Sequence, residues 1–285
     1  HSNLRRQRQM CIRDSNTSGM FYAHASVGTL HVRPVLNMKS DQDIKNMRSI
    51  SEEAFEMVKN YKGSHSGEHG DGIVRSEFHE MMFGKNITNA FEEIKDTFDN
   101  KNLLNPGKIV RPFKSNDRSL MRYKSDYQTE NISTHYDWSN WGQFSDAIEM
   151  CNNNGACRKL DSGVMCPSYR VTKEEKDLVR GRANTLRLAL SNQLPEGSFA
   201  SKEMYETMEL CVSCKACQRE CPMSVDMAKM KSEFLSHYYK KFSMRIKDKI
   251  ISDMPRLIWL YKIINPILNK ICLLYTSDAA DEGSS

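Results

Sequence analysis

The chain has 285 residues, 39% of them hydrophobic and 27% charged, with a formal net charge of +5. That length and balance suit one or two soluble globular domains. The positive excess is spread thinly and no Lys/Arg block is long enough to argue for nucleic acid as a partner.

Both ends read as foreign. Leu4–Asp14 and Cys272–Ser285 resemble translated sequencing adapters, so residues 1–15 and 272–285 are set aside as expected scars, a native basic arm and polar tail being the other reading. Setting them aside removes Cys11 and Cys272 and leaves the other seven cysteines between Cys151 and Cys221. That clustering points to a reducing compartment with metal-bound thiolates, hence a cytoplasmic location, with peripheral contact at the inner face of the membrane left open.

Residues 20–34 are rich in β-formers and read as strand, turn at Gly28, strand. Ser40 with Asp43 forms a capping box for a helix whose apolar face is Ile44, Met47, Ile50, Ala54 and Val58, closed by Gly63. Ser66–Gly72 holds three glycines and reads as a loop. A second helix carries Ile87, Phe91, Ile94 and Phe98, followed by a turn at Asn105–Gly107 and a short strand at Ile109-Val110. This first part, residues 16–113, is α+β. Residues 114–140 are rich in Ser, Asp, Asn and Tyr and read as a linker. Residues 141–271 lose strand signals and read as all-helical around cysteine loops. Thr172 and Glu175 form a capping box before a helix to about Ser191, Ser201 caps a helix running into Cys211, and a long helix follows Val225. The apolar stretch Leu257–Asn269 is interrupted by Lys262, Asn265 and Pro266, short of the about 20 apolar residues a span requires, so a buried or peripheral helix is expected.

Cys211, Cys214, Cys217 and Cys221-Pro222 have the spacing C-x2-C-x2-C-x3-C-P of bacterial ferredoxins, a cage for a cubane 4Fe-4S cluster. A zinc ribbon would separate two C-x2-C pairs by a longer loop, and a disulfide framework would not crowd four cysteines into eleven residues. Cys151, Cys157 and Cys166-Pro167 form a second group. The pair of groups resembles the two-cluster α-helical ferredoxins that accompany flavin dehydrogenases, in which each group lends its Pro-linked cysteine to the other cluster. The resemblance implies one cluster on Cys211, Cys214, Cys217 and Cys166, and another on Cys151, Cys157 and Cys221. In the second, the middle ligand falls at Asn154, leaving a three-iron cluster, a four-iron cluster with a non-cysteine ligand, no cluster, or simply buried thiols.

His24 and His31 bracket a tight turn, which by itself more often means ordinary polar residues. The loop Gly67-Glu68-His69-Gly70-Asp71-Gly72 packs glycines around a carboxylate and an imidazole, as catalytic loops do. Two neutral histidines and a carboxylate make a competent divalent-metal site, and His69 could accept a proton.

On these residues, segment 16–113 resembles the C-terminal part of the FAD-linked oxidase family, which includes D-lactate, glycolate and D-2-hydroxyglutarate dehydrogenases. Of its motif H-x-G-D-G-N-L-H the chain keeps His24, Gly28, Leu30 and His31, with Ser26-Val27 and Thr29 substituted. Its E-H-G loop is complete at Glu68-His69-Gly70, and Asn105-Pro106-Gly107-Lys108 is intact. The resemblance implies that His24, His31 and Glu68 bind a divalent metal such as zinc, which polarises the hydroxyl and carboxylate of a small 2-hydroxy acid. It also implies that His69 takes the hydroxyl proton as hydride leaves for flavin, and that Asn105 and Lys108 lie against FAD. Arg75 is a candidate partner for the substrate carboxylate, a surface salt bridge being the equal alternative. The joint into the cysteine groups through Arg180-Gly-Arg-Ala-Asn184 resembles large fused dehydrogenases. The implied activity is oxidation of a D-2-hydroxy acid, with electrons passing through 4Fe-4S clusters to a quinone, cytochrome or carrier protein. An iron–sulfur module without hydroxy-acid chemistry is the alternative, and a zinc-binding interaction protein a third reading. No FAD-binding domain is visible in these residues, so the isolated chain is expected to be an inactive fragment that holds flavin poorly.

Overall fold

The computed structural model describes residues 17–270, positions 261 and 268 excepted, so both suspected adapter segments lie outside the described residues. The chain divides into two compact units between Tyr127 and Gln128.

The first unit opens with the antiparallel hairpin β1 (Gly19–His24) and β2 (Thr29–Pro34), joined by a 3-10 turn over Ala25–Val27 and by Gly28. The register pairs Tyr22 with His31 and His24 with Thr29. Because strand side chains alternate faces, Tyr22 and His24 project to the same side as their partners His31 and Thr29. Helix α1 (Asp41–Asn60) starts as its sequence requires, with the Ser40 hydroxyl accepting from the Asp43 amide at 3.3 Å. Ile44, Ile50 and Val58 of α1 are buried, as is Phe78. Short helices α2 (Gly72–Ser76) and α3 (His79–Phe83) follow the glycine loop, and α4 (Lys85–Phe98) completes the set. The apolar face of α4 is open, with Ile94 and Phe98 exposed. No strand forms at Ile109-Val110. Ile109 takes a positive φ and gives its amide to the Ser76 hydroxyl at 3.0 Å, so this backbone is used by α2 and not by a sheet.

The segment read as a linker is held at both ends. Ser115 gives its amide to Glu77, and Arg118 reaches the carbonyls of Met38 and Lys124 in the first unit. In the second unit, the amides of His135 and Tyr136 and the indole of Trp138 all donate to the buried carboxylate of Glu233.

The second unit is helical among the described residues: α5 (Phe144–Glu149), α6 (Pro167–Thr172), α7 (Val179–Leu190), α8 (Lys202–Glu209), α9 (Ala216–Glu220), α10 (Met227–Lys241) and α11 (Ile246–Asp253). Its core joins Trp138, Phe144, Ile148, Leu186, Met208 and Phe234 to the buried cysteines. Leu178, Leu186 and Met208 are 0% exposed, a gain of about 2 kcal/mol for each side chain before entropy is counted. The helix expected from Thr172 starts later, at Val179. The Glu175 carboxylate pairs with Arg180 at 2.7 Å instead of capping a helix, and a 3-10 turn fills Glu175–Asp177. Gly181 then matters: a Cβ there would strike the Glu175 carbonyl, so only glycine lets α7 lie this close to the turn. Ser201 and Asp226 cap α8 and α10 through the Met204 and Lys229 amides. The apolar residues after Leu257 are largely exposed, Trp259 and Ile263 among them. No helix among the described residues is long and apolar enough to cross a membrane.

Candidate functional site

The hairpin and the glycine loop meet around Glu68. His24 Nδ1 lies 2.8 and 2.6 Å from the two carboxylate oxygens, and His31 Nε2 lies 3.7 Å from Oε2. The three ligand atoms fall within 4.8 Å of one another. His31 stacks on Tyr22 at 4.4 Å, and Arg33 stands over the same tyrosine ring. Desolvation, together with the imidazoles of His24 and His69, pushes His31 below the ordinary histidine range, so it is a neutral nitrogen donor near pH 7. Its Nε2 is buried without a hydrogen-bond partner and aimed at Glu68, which is the donor arrangement a divalent ion needs. The loop reaches the hairpin because residue 67 is glycine, since a Cβ at Gly67 would run into the Thr29 side chain.

His69 is mostly exposed, with Nε2 3.4 Å from Glu68 Oε2 and its ring 5.3 Å from that of His31. An imidazole at the open edge of this candidate metal-ligand triad can accept a proton from a molecule bound there. Arg75, on α2, donates to the Ser66 hydroxyl and the Gly70 carbonyl, both at 3.4 Å. No carboxylate pairs with it among the described residues, so the surface salt bridge is not formed there and the guanidinium braces the loop. Lys108 Nζ donates to Asn105 Oδ1 at 3.3 Å, and the two residues line a groove with Phe91, Ile94, Phe98 and Leu104 of the open α4 face.

A second group on the same loop is invisible in the sequence. His65, Asp71 and His79 bring their ligand atoms within 4.8 Å of one another. They come from the loop start, the α2 N-cap and the first turn of α3, a spacing that follows no helical or strand period. Burial pushes His65 below the ordinary histidine range.

All seven cysteines from Cys151 to Cys221 are free thiols, which removes the disulfide reading for them. Cys166, Cys211, Cys214 and Cys217 line one cavity, together with Arg182 and Met227. Cys166 and Cys217 are buried and Cys214 is exposed. Burial pushes the Cys217 thiol up to about 11, against the opposing pull of the Met227 amide, which donates to its sulfur at 3.4 Å. A cluster would have to displace that proton, and the same N–H would then stabilise the thiolate. Arg182, within the motif Arg180–Asn184, lies against this cavity, a position the sequence did not reveal. It is wholly buried, donates to the Thr207 carbonyl at 2.9 Å and the Ser168 hydroxyl at 3.2 Å, and approaches Cys166 Sγ at 3.8 Å.

Cys151 and Cys157 are buried and close enough to influence each other's ionisation, and burial pushes Cys157 above the ordinary thiol range. Cys221 is half-buried against the same core. At the missing ligand, Asn154 is turned away: its side chain binds Asn152 and the Ala156 amide. Asn153 faces the thiol instead, its Oδ1 lying 3.8 Å from Cys151 Sγ and 2.7 Å from Asn184 Nδ2.

With this geometry in place, the comparisons with known proteins become specific. Residues 3–109 match the family described as FAD linked oxidases, C-terminal domain, and residues 147–225 match the 4Fe-4S dicluster domain. The chain joins an FAD-linked oxidase C-terminal domain to a 4Fe-4S dicluster domain. FAD and iron–sulfur are therefore the cofactors its two families use. It is 32% identical over 274 residues to D-2-hydroxyglutarate dehydrogenase of Haemophilus influenzae, and 30% identical over 276 residues to the protein of that name from Pantoea ananatis. Each alignment covers 83% of this chain and 26% of the relative. A D-lactate dehydrogenase of Archaeoglobus fulgidus is 33% identical over 90 residues, covering 32% of this chain and 19% of that protein. The chain thus spans about a quarter of the length of the D-2-hydroxyglutarate dehydrogenases it matches. No solved structure matches it.

Proposed function

We propose that this chain is the substrate-site and electron-exit portion of an FAD-dependent D-2-hydroxy acid dehydrogenase, with D-2-hydroxyglutarate the first candidate substrate. The observation that carries the reading is the single carboxylate of Glu68 shared by His24, His31 and His69, with His31 Nε2 buried and unpartnered. His24, His31 and Glu68 hold a divalent ion such as zinc, and their donor set of two nitrogens and one oxygen with open positions suits the hydroxyl and carboxylate of a 2-hydroxy acid. His69 receives the hydroxyl proton, and Arg75, free of any carboxylate among the described residues, is available to the far end of the acid. Asn105 and Lys108 face the flavin, and the open groove of α4 is covered by the flavin-bearing part of the protein. Bound flavin supplies the hydride acceptor, the metal a Lewis acid, and the clusters a one-electron exit. Cys211, Cys214, Cys217 and Cys166 hold the first cluster, with Arg182 stabilising the negative charge on their sulfurs, and Cys151, Cys157 and Cys221 serve the second.

The test is anaerobic addition of D-2-hydroxyglutarate, D-lactate and glycolate to the flavin-containing holoenzyme. The visible flavin band should bleach with a D-2-hydroxy acid, and His69→Ala should abolish the bleaching while flavin stays bound. Absence of bleaching with every D-2-hydroxy acid overturns the reading.

A further inference from the structure

Beside the hairpin site, the glycine loop carries a second constellation that the proposed chemistry does not use. His79 Nε2 lies 2.8 Å from Asp71 Oδ2, and His65 Nε2 lies 3.5 Å from Asp71 Oδ1. The side chain of His65 is 0% exposed, that of His79 3% and that of Asp71 18%. Phe55 packs edge-on against His65 at 5.2 Å, and Phe83 contacts both imidazoles, so the surroundings are aromatic and dry.

The hydrogen-bonding inventory of this group does not close. His79 Nδ1 lies 3.3 Å from the Ile109 carbonyl, which only accepts, so the ring proton belongs on Nδ1. Its Nε2 is then a lone pair facing a carboxylate oxygen at 2.8 Å, and two acceptors that close require a positive charge between them. A proton on Nε2 would answer for His79 alone. It would leave His65 with a long 3.5 Å contact to Asp71 Oδ1 and an interaction with the Arg75 backbone, its two nitrogens and Asp71 Oδ1 being buried without a well-formed hydrogen bond. Each such orphan is a net cost to the folded state. A metal ion answers together for one nitrogen of each histidine and for the carboxylate, the Arg75 backbone being the other polar neighbour of His65. With metal–ligand bonds of about 2.0–2.2 Å, tetrahedral ligands sit roughly 3.4 Å apart. The three ligand atoms already lie within 4.8 Å of one another, His65 facing Asp71 Oδ1 at 3.5 Å and His79 facing Oδ2 at 2.8 Å, so a small turn of the carboxylate brings one oxygen and both imidazoles to that spacing. The His79 Nδ1–H bond to a backbone carbonyl is the outer support that ligating imidazoles ordinarily have.

We propose that His65, Asp71 and His79 form a second divalent-metal site, with a donor set of two imidazoles and a carboxylate that selects a zinc-class transition ion over calcium or magnesium. The site ties the loop start, the α2 N-cap and α3 to one point. Because Asp71 is three residues beyond Glu68 and two beyond His69, the bound ion is a structural pin for the loop that carries them. This inference does not rest on the hairpin triad binding metal, and the experiment separates the two.

The full chain is first reconstituted anaerobically with iron and sulfide so that the thiols are occupied. It is then equilibrated with zinc, dialysed, and assayed for zinc per chain by elemental mass spectrometry. The proteins are wild type, the hairpin variant His24→Ala/His31→Ala, and that variant combined with His65→Leu or with Asp71→Asn. The hairpin variant should retain one zinc, and each combined variant should retain none, with helical circular dichroism unchanged. Asp71→Asn keeps the side-chain shape, so it decides the matter if His65→Leu fails to fold. Cobalt substitution of the hairpin variant should give ligand-field bands without thiolate-to-cobalt charge transfer. A hairpin variant without zinc, or one whose zinc survives both His65→Leu and Asp71→Asn, overturns the site. A wild type that holds only the one zinc the hairpin variant keeps overturns the hairpin reading and leaves this one standing.

Discussion

Replacing Arg182 with methionine removes a guanidinium that is 0% exposed and leaves Asp177, 2% exposed, without its counter-charge. The two charged groups stand 3.7 Å apart. At an effective dielectric near 20, Coulomb's law gives an attraction of about 4.5 kcal/mol across that distance. Desolvation of both ions offsets much of this in the wild type, so the loss appears chiefly as a stranded buried charge, about 3–5 kcal/mol. The Thr207 carbonyl and Ser168 hydroxyl lose their donor in the same step. Asp177→Leu combined with Arg182→Met removes both charges, and the double variant should be destabilised by clearly less than the sum of the single ones. The assay is urea unfolding of the four proteins in a double-mutant cycle, followed by far-ultraviolet circular dichroism at pH 7. A coupling energy of about 2 kcal/mol or more is expected, and one within about 0.5 kcal/mol of zero refutes the idea of an interdependent pair. In cluster-loaded protein the same Arg182→Met change should lower the reduction potential. The guanidinium near Cys166 Sγ favours the more negative, reduced cluster, so a potential that rises or stays fixed contradicts the proposed ligand role of Cys166.

Three further outcomes follow from local geometry. Gly67→Ala should drive the loop from the hairpin and cost about 1–3 kcal/mol in unfolding, with Thr29→Ala restoring part of it, because the new methyl meets the Thr29 side chain. For Glu233, burial works against the charge, but the amides of His135 and Tyr136 and the Trp138 indole outweigh it and hold the carboxyl below its ordinary 4.5. Its contribution is therefore present above about pH 4.5 and lost as pH falls below, so Glu233→Gln should cost about 2 kcal/mol at neutral pH and progressively less in acid, read from urea midpoints. Cys217 shifts the opposite way: its thiol is raised from 9.0 to about 11 by burial, so the stability it lends the cluster-free chain is complete below pH 9 and lost as pH rises toward 11. Cys217→Ala should flatten that alkaline decline.

Where the sequence carries a period or a fixed spacing, the structure follows it. The alternation of residues 20–34 becomes the hairpin, and the serine caps at Ser40 and Ser201 open α1 and α8. The C-x2-C-x2-C run gathers around one cavity, and Cys166 joins it from 45 residues upstream, a partnership carried by family resemblance and not by spacing. The failures share a cause in competition for one group. Ile109 looks like a strand residue, yet Ser76 claims its amide. Glu175 fits a capping box, yet Arg180 claims its carboxylate. Composition read 114–140 as a tether because it weighs residue types and not partners, and Glu233, nearly a hundred residues on, anchors its far end. His65 and His79 illustrate the remaining gap, since contacts that join a loop to two short helices leave no regular interval to read.

The loop from Cys211 to Cys217 leaves Cys214 exposed and Val212 67% exposed, while Cys166 and Cys217 stay at 7%. A thin wall over an iron–sulfur centre shortens the path to a redox partner, and the same wall offers dioxygen its shortest route in. Air should therefore bleach the proposed cluster behind Cys214 early, and the vacated thiols at Cys211 and Cys214, three positions apart, are then free to oxidise to a disulfide in place of holding iron. Breathability at one loop would then set how this chain has to be handled, and in an aerated cell how often the proposed centre has to be rebuilt.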